Sequence, residues 1–227
     1  MVLQSCALRL PLLPLESVVE DMTIIKRLPQ TISLAFLALA LLVGPSPSLA
    51  TPSIDPADMA AGTWVNDPAH TSVMARVRHM GVSFYVMRFN TVETTLTYDP
   101  LNLEATRVSA TIQTASLDVG HDYSRRFADQ FLGATEFPTM TFVSTSLSRS
   151  GPNHGTMTGN LTLRGVTRPE TFEVTFNGVG PGLIPLSTRA GFTAVGTIRR
   201  SDFGSNAWQS AVGDEVQITI EAEFARR

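Results

Sequence analysis

Four histidines, one charged cluster and one glycine-rich stretch are the residues of this chain whose types could do chemistry. His70, His79, His121 and His154 are the four imidazoles among 227 residues. None stands in a His-x-His or His-x-x-x-His pair, so no metal site is signalled, although one assembled from distant histidines stays open. The single cysteine is Cys6, and no Gly-x-Ser-x-Gly elbow occurs to mark a serine nucleophile. Gly178-Val179-Gly180-Pro181-Gly182 has the glycines of a phosphate loop. Pro181 lacks an N–H that a phosphate would take, and no helical pattern follows, so this is read as a plain loop. In Arg199-Arg200-Ser201-Asp202, two guanidiniums beside a carboxylate could hold an anionic head group, or could ion-pair and close a turn. His70 lies in Asp67-Pro68-Ala69-His70-Thr71-Ser72, read as a turn in which Asp67 and Ser72 satisfy backbone groups.

The elements that must position these residues are strands. In the stretch 159–178, Leu161 and Leu163 alternate with Thr162 and Arg164, and Phe172, Val174 and Phe176 alternate with Thr171, Glu173 and Thr175. Period two means a strand with one apolar face. Arg164 to Pro169, with its Gly and Pro, is the turn expected between the two runs. The same alternation recurs at Val73/Ala75/Val77, Val92/Thr94/Leu96/Tyr98, Val108/Ala110/Ile112, Met140/Phe142 and Phe192/Ala194/Gly196/Ile198. It is cleanest at Val216/Ile218/Ile220/Ala222/Phe224. Phe84 to Phe89 is a mixed run. About eight or nine strands separated by turn signals fit a sandwich or a barrel. Residues 121–137 break the pattern: Phe127, Phe131 and Leu132 have roughly helical spacing and predict a short helical, lid-like excursion.

The N-terminal fifth reads differently. Lys26 and Arg27 precede a twelve-residue apolar run, Ile32 to Val43, which is too short to span a bilayer. Ser48-Leu49-Ala50 follows, with small residues at the positions a signal peptidase reads. Residues 22–50 are therefore expected to be a cleaved secretory signal peptide. Residues 1–21 read as an over-extended start or a long n-region, 51–62 as a linker, and 63–227 as the folded domain. Residues 51–227 carry fourteen arginines, no lysine and seventeen acids, a net charge of −3. That balance supplies no basic stripe for nucleic acid and no polybasic membrane patch. With no thiol in this part, stability must come from packing alone.

A series of short motifs runs through the domain. Trp64-x-x-Asp67-Pro68-x-His70-x-Ser72 opens it, followed by His79-x-Gly81, Tyr98-Asp99-Pro100, Ala115-Ser116-Leu117-Asp118-x-Gly120 and Phe137-Pro138-x-x-x-Phe142. Gly159-x-Leu161-Thr162-Leu163-x-Gly165-Val166-Thr167-Arg168-Pro169, Arg200-Ser201-Asp202-Phe203-Gly204 and Val212-Gly213-Asp214-Glu215-Val216 complete it. In order and spacing the series resembles the YceI-like family over about residues 63–225. The resemblance implies an all-β, lipocalin-like antiparallel β-barrel, periplasmic or secreted. It also implies an elongated cavity for a long-chain amphiphile, typically a polyisoprenoid such as a quinone or prenyl lipid, with fatty-acyl lipids as the alternative. It implies no catalytic activity and no cofactor. The chain has Asp122-Tyr123-Ser124-Arg125-Arg126 where family members carry an Arg-Asp-x-His-Leu-like run. It has Ala75 where an aromatic is common and Met87 where a glycine is.

The expectation is a periplasmic carrier of a long-chain lipid, with a barrel filled by its own side chains as the alternative and a lipid-acting enzyme as the remoter one. Phe84, Val86, Phe127, Phe131, Phe142, Phe172, Val174 and Phe176 are the expected wall residues, and His79, Arg126 and Asp202 the expected polar contacts near strand ends. The expected partner is the lipid itself, with no integral membrane anchor. A homodimer stays open.

Overall fold

The computed structural model describes residues 51–183 and 186–227. The expected signal peptide and the segment ahead of it lie outside the described residues. Ten strands form one antiparallel sheet: β1 (Gly62–His79), β2 (Ser83–Phe89), β3 (Val92–Tyr98), β4 (Arg107–Gln113), β5 (Leu117–Asp118), β6 (Thr139–Arg149), β7 (His154–Leu163), β8 (Val166–Pro181), β9 (Thr188–Arg199) and β10 (Val212–Arg226). From β6 to β10 each strand pairs with the next, and β10 returns to pair with β1. With β3 and β4 these strands close a barrel of eight, while β2 and β5 form a flap beside it. Closure removes the exposed sheet edge and gives every apolar face an interior to turn towards.

The long β1 makes this geometry. Its first half pairs with β3, Gly62 to Val65 against Tyr98 to Thr95. Its second half pairs with β2, Val73 to His79 against Phe89 to Ser83. The switch falls where the register against β10 jumps, between Asn66 and Thr71. Pro68, which cannot donate to a ladder, sits in that bulge. Asn66 then stitches the bend to β3, donating from Nδ2 to the Val92 carbonyl at 3.0 Å and accepting from the Thr94 N–H at 2.7 Å.

The turn between β7 and β8 is tighter than expected. It comprises only Arg164 and Gly165, both with positive φ (52° and 72°), the conformation that lets a two-residue hairpin follow the strand twist. Val166 to Pro169 already belong to β8, with Pro169 opposite Asn160.

Between β5 and β6 lies the excursion foreseen at 121–137. A single α turn, α1 (Ser124–Phe127), runs into a π-type turn at Ala128–Leu132, which Gly133 ends in the left-handed conformation. The segment read as a linker packs on the barrel. The Ser53 N–H donates to the Val179 carbonyl at 2.8 Å, and Met59 is fully buried beside Trp64, Leu96, Phe176 and Phe224. A larger core surrounds Phe89, Ile112, Met140, Phe142, Phe172 and Ile198. No helix of the described residues is long and apolar enough to cross a membrane.

Candidate functional site: the barrel cavity

The inward faces do not fill the barrel. They line a cavity of about 540 Å³ bounded by all eight barrel strands, β2 and the α1 excursion. That volume lies within the usual range of small-molecule sites. On β10 the lining runs from Val212 to Phe224. Twelve residue steps at about 3.3 Å each make about 40 Å of strand, or about 30 Å along the axis at a tilt of about 40°. The space is a long slot, not a round hole.

Most of the wall is aliphatic or aromatic, and its charged and imidazole groups lie towards the two ends. One end is covered by α1. There the Phe127 and Phe131 rings meet edge to face at 5.7 Å, and Trp208 abuts both, at 6.1 and 6.3 Å. Tyr85 joins the same cluster, 6.0 Å from Phe127, and its hydroxyl lies 2.6 Å from Nε2 of His121. Burial pushes the Tyr85 phenol pKa above its ordinary value. Arg200 lies under Phe131, 5.9 Å from that ring, and is 6% exposed. Its guanidinium donates to the carbonyls of Gly213, Ser205 and Val212. Burial lowers its pKa, and the Asp214 carboxylate opposes that. The other end is bounded by Pro56, Tyr98, Pro100, Leu101, Leu103 and residues of the Arg149–His154 turn, and Tyr98 donates to the Pro56 carbonyl at 2.8 Å. No aspartate or glutamate is among the described lining residues.

The sequence profile of the YceI-like domain matches residues 64–224. The chain belongs to the YceI-like family. Protein YceI of Shigella flexneri is 38% identical over 158 residues, 68% of this chain and 81% of that protein. Among solved structures, BcnA of Burkholderia cenocepacia aligns with a TM-score of 0.62 at 27% identity, covering 70% of this chain and 98% of its own. A polyisoprenoid binding domain of Saccharophagus degradans, implicated in plant cell wall breakdown, aligns with a TM-score of 0.56 over 72% of this chain and 98% of its own. At 11% identity it shows the shared fold alone.

Of the residues expected at the site, this YceI-like barrel places Phe127, Phe131, Phe142, Phe172, Val174, Phe176 and His79 on the cavity wall. Phe84, Val86, Arg126 and Asp202 lie elsewhere. Phe84 and Val86 stand opposite Arg78 and Arg76 across the β1–β2 pair. Directly opposed residues share a face, and β1 turns Val73, Ala75 and Val77 inwards, so its arginines and their partners face out. Phe84 is 37% exposed, and the Arg76 guanidinium covers its ring at 3.9 Å. The residues of β2 that do reach the cavity are Tyr85, Met87 and Phe89. Arg126 lies on the outside of α1, in a surface depression with Asp122, Arg125, Asp129 and Gln130. Asp202 is exposed in the 3₁₀ turn Arg200–Phe203, where its carbonyl accepts from Arg168.

From that cluster it is Arg200 that reaches the cavity wall, and a signal for it exists. Counting by two along β9 from Phe192, Ala194 and Ile198 lands on Arg200, the next inward position. Among the described residues the expected ion pair to Asp202 does not form; Arg199 Nε instead donates to Asp214 at 3.1 Å. Asp214 also accepts from the Ser201 N–H at 2.9 Å and from the Ser201 hydroxyl at 2.8 Å, which holds its carboxyl below the usual carboxylate range.

Outside the cavity, β1–β10 pairing brings Asp67, His70 and Glu223 within ligand-cluster distance. Histidine spacing could not reveal this group, because Glu223 lies far in sequence from Asp67 and His70. Arg189 reaches both carboxylates, 3.6 Å from Asp67 and 3.1 Å from Glu223, and so supplies the cation they need. His70, at 3.2 Å, holds the Asp67 carboxyl below its ordinary pKa.

Proposed function

We propose that this protein binds and carries a long-chain amphiphilic lipid, a polyisoprenoid such as a quinone or prenyl lipid, in the periplasm after export. The observation that carries this reading is the cavity: about 540 Å³, slot-shaped and walled mainly by carbon. Each methylene taken out of water contributes about 0.8 kcal/mol, so about a dozen of them outweigh the ordering cost of binding. Membership of the YceI-like family supports the same ligand class. The apolar run at 32–43, with its charged and small-residue flanks, supports export.

The protein is a binder rather than an enzyme in this reading.

Native mass spectrometry of protein purified from the periplasm without detergent tests the proposal, followed by solvent extraction and lipid analysis. A discrete added mass that extracts as one prenyl or acyl lipid is expected, and the same spectrum separates monomer from homodimer. A clean apo mass, unchanged after incubation with quinones and fatty acids, would mean that the barrel carries nothing.

A further inference from the structure

The cavity is chemically one-sided. The described residues along its wall include Arg149, Arg200, His79 and His154, and no aspartate or glutamate, although the chain as a whole is net negative. A wall that offers donors and positive charge without a counter-anion selects ligands by their polar atoms as well as by their tails. It accommodates an oxygen acceptor and repels an ammonium group.

The two ends differ in what they do with their charge. Arg149, at the Pro56 end, is exposed, and water screens it. Arg200, under α1, is buried, and none of the ion pairs among the described residues includes it. Its three hydrogen bonds go to neutral carbonyls. These satisfy three of the five guanidinium N–H groups and leave one on each terminal nitrogen. Burying this charge is costly; Asp214 offsets part of that cost without a direct ion pair, and a bound anion would relieve more of it.

A second donor stands at the same end. The Tyr123 N–H donates to Nδ1 of His121 at 3.3 Å, so in the neutral ring the proton sits on Nε2. The Tyr85 hydroxyl pairs with Nε2 of His121 at 2.6 Å, and Tyr85 itself lines the cavity. The rings link the two donors: Tyr85 packs on Phe127, Phe127 on Phe131, and Phe131 lies over Arg200.

From this we infer that the cavity takes an anionic amphiphile, a long-chain carboxylate or phosphate, with its head at the α1-covered end against Arg200 and its tail running towards Trp64. The inference rests on the carrier reading and names the ligand's head and its direction. The Arg200 charge supplies the attraction, with the Tyr85 hydroxyl at the same end and the Phe127/Phe131/Trp208 cluster beside them.

Two tryptophans, one towards each end, make the direction measurable. Trp208 lies in the aromatic cover, and Trp64 is fully buried in the opposite cluster. Hexadecanoate, hexadecanol, hexadecylamine and hexadecyl phosphate would be titrated against the full-length mature protein. Quenching by 2-bromohexadecanoate and 16-bromohexadecanoate would be read in wild type and in Trp208→Phe. The carboxylate and phosphate are expected to bind at least about tenfold tighter than the alcohol, with the amine weakest, as for hydrogen bonds to a charged partner. The 2-bromo probe is expected to quench the Trp208 component more than the 16-bromo probe does. In Arg200→Gln the anion preference should fall to about onefold. If that variant does not fold, the wild-type head series and the quenching pattern still decide. Equal affinities for all four heads, an amine preference or stronger Trp208 quenching by the 16-bromo probe would overturn the head assignment and leave the carrier reading standing. Failure of all four C16 amphiphiles to bind would overturn the head assignment, while the lipid-extraction experiment separately decides the carrier reading.

Discussion

The rings of Phe142 and Phe172 meet edge to face on the inner wall, 5.5 Å between centroids and 88° between planes. Each ring occupies space that a glycine leaves open. A Cβ added at Gly159 would stand 2.4 Å from the Phe142 ring and 2.6 Å from the Val143 carbonyl oxygen, and one at Gly196 would stand 2.7 Å from the Phe172 ring. The aromatic pair and its two glycines are one packing unit that sets the cavity's width. Gly159→Ala is expected to destabilise the fold by about 1–3 kcal/mol, because a backbone oxygen cannot step aside as a flexible side chain can. Urea denaturation measures it, and an unchanged midpoint would show that the wall yields without cost.

Phe131 covers the end of the slot but is not at the centre of the barrel core. Phe131→Ala is expected to leave the fold intact and to raise the lipid dissociation rate severalfold, because it opens the aromatic cover over Arg200. A stopped-flow chase with a fluorescent lipid reads the rate. An unchanged rate in a folded variant would mean that α1 is not a lid.

Ala75 lies on the wall, where a larger side chain would project into empty space. Ala75→Phe is expected to retain the β-sheet circular dichroism of wild type while lowering lipid capacity to a small fraction. Full capacity would show that the ligand does not use the β1 side of the slot.

Asp214 ties the turn carrying Arg200 to β10. Its folded pKa is depressed, chiefly by the Ser201 N–H. The resulting stability is present above the unfolded carboxyl value of about 3.9 and is lost as pH falls through the folded value. Asp214→Asn should therefore lower the melting temperature at pH 7 and converge with wild type near pH 2. A difference that is constant with pH would assign the effect to packing rather than to ionisation.

Met59 anchors residues 51–61 against the barrel. Met59→Ala is expected to cost about 2–5 kcal/mol, as for other fully buried large-to-small changes, and to red-shift the Trp64 emission. A wild-type melting curve would show that this segment is dispensable.

Much of the architecture was legible in the residues themselves. Wherever alternation was long and clean, as from Val216 to Phe224, the inward face was readable, because side-chain period two is local chemistry. The break at 121–137 was legible for the same reason. Short mixed runs were not: in Ser83–Phe89 both faces carry large apolar groups, and Phe84 and Val86 look as suitable for a wall as Tyr85 and Met87. Only the pairing with β1 resolves them, since Arg76 and Arg78 must face out if Val73, Ala75 and Val77 face in.

By itself the sequence determined an all-β chain, a helical interruption, the absence of thiols from residues 51–227 and a family likeness carried by short motifs. These depend on neighbours within a few positions. The tertiary structure alone decided that β10 closes on β1, that the enclosed space stays partly empty, and that Arg200 rather than Asp202 turns into it. Closure and cavity arise from residues more than a hundred positions apart. No local pattern encodes whether the inward side chains of eight strands meet in the middle.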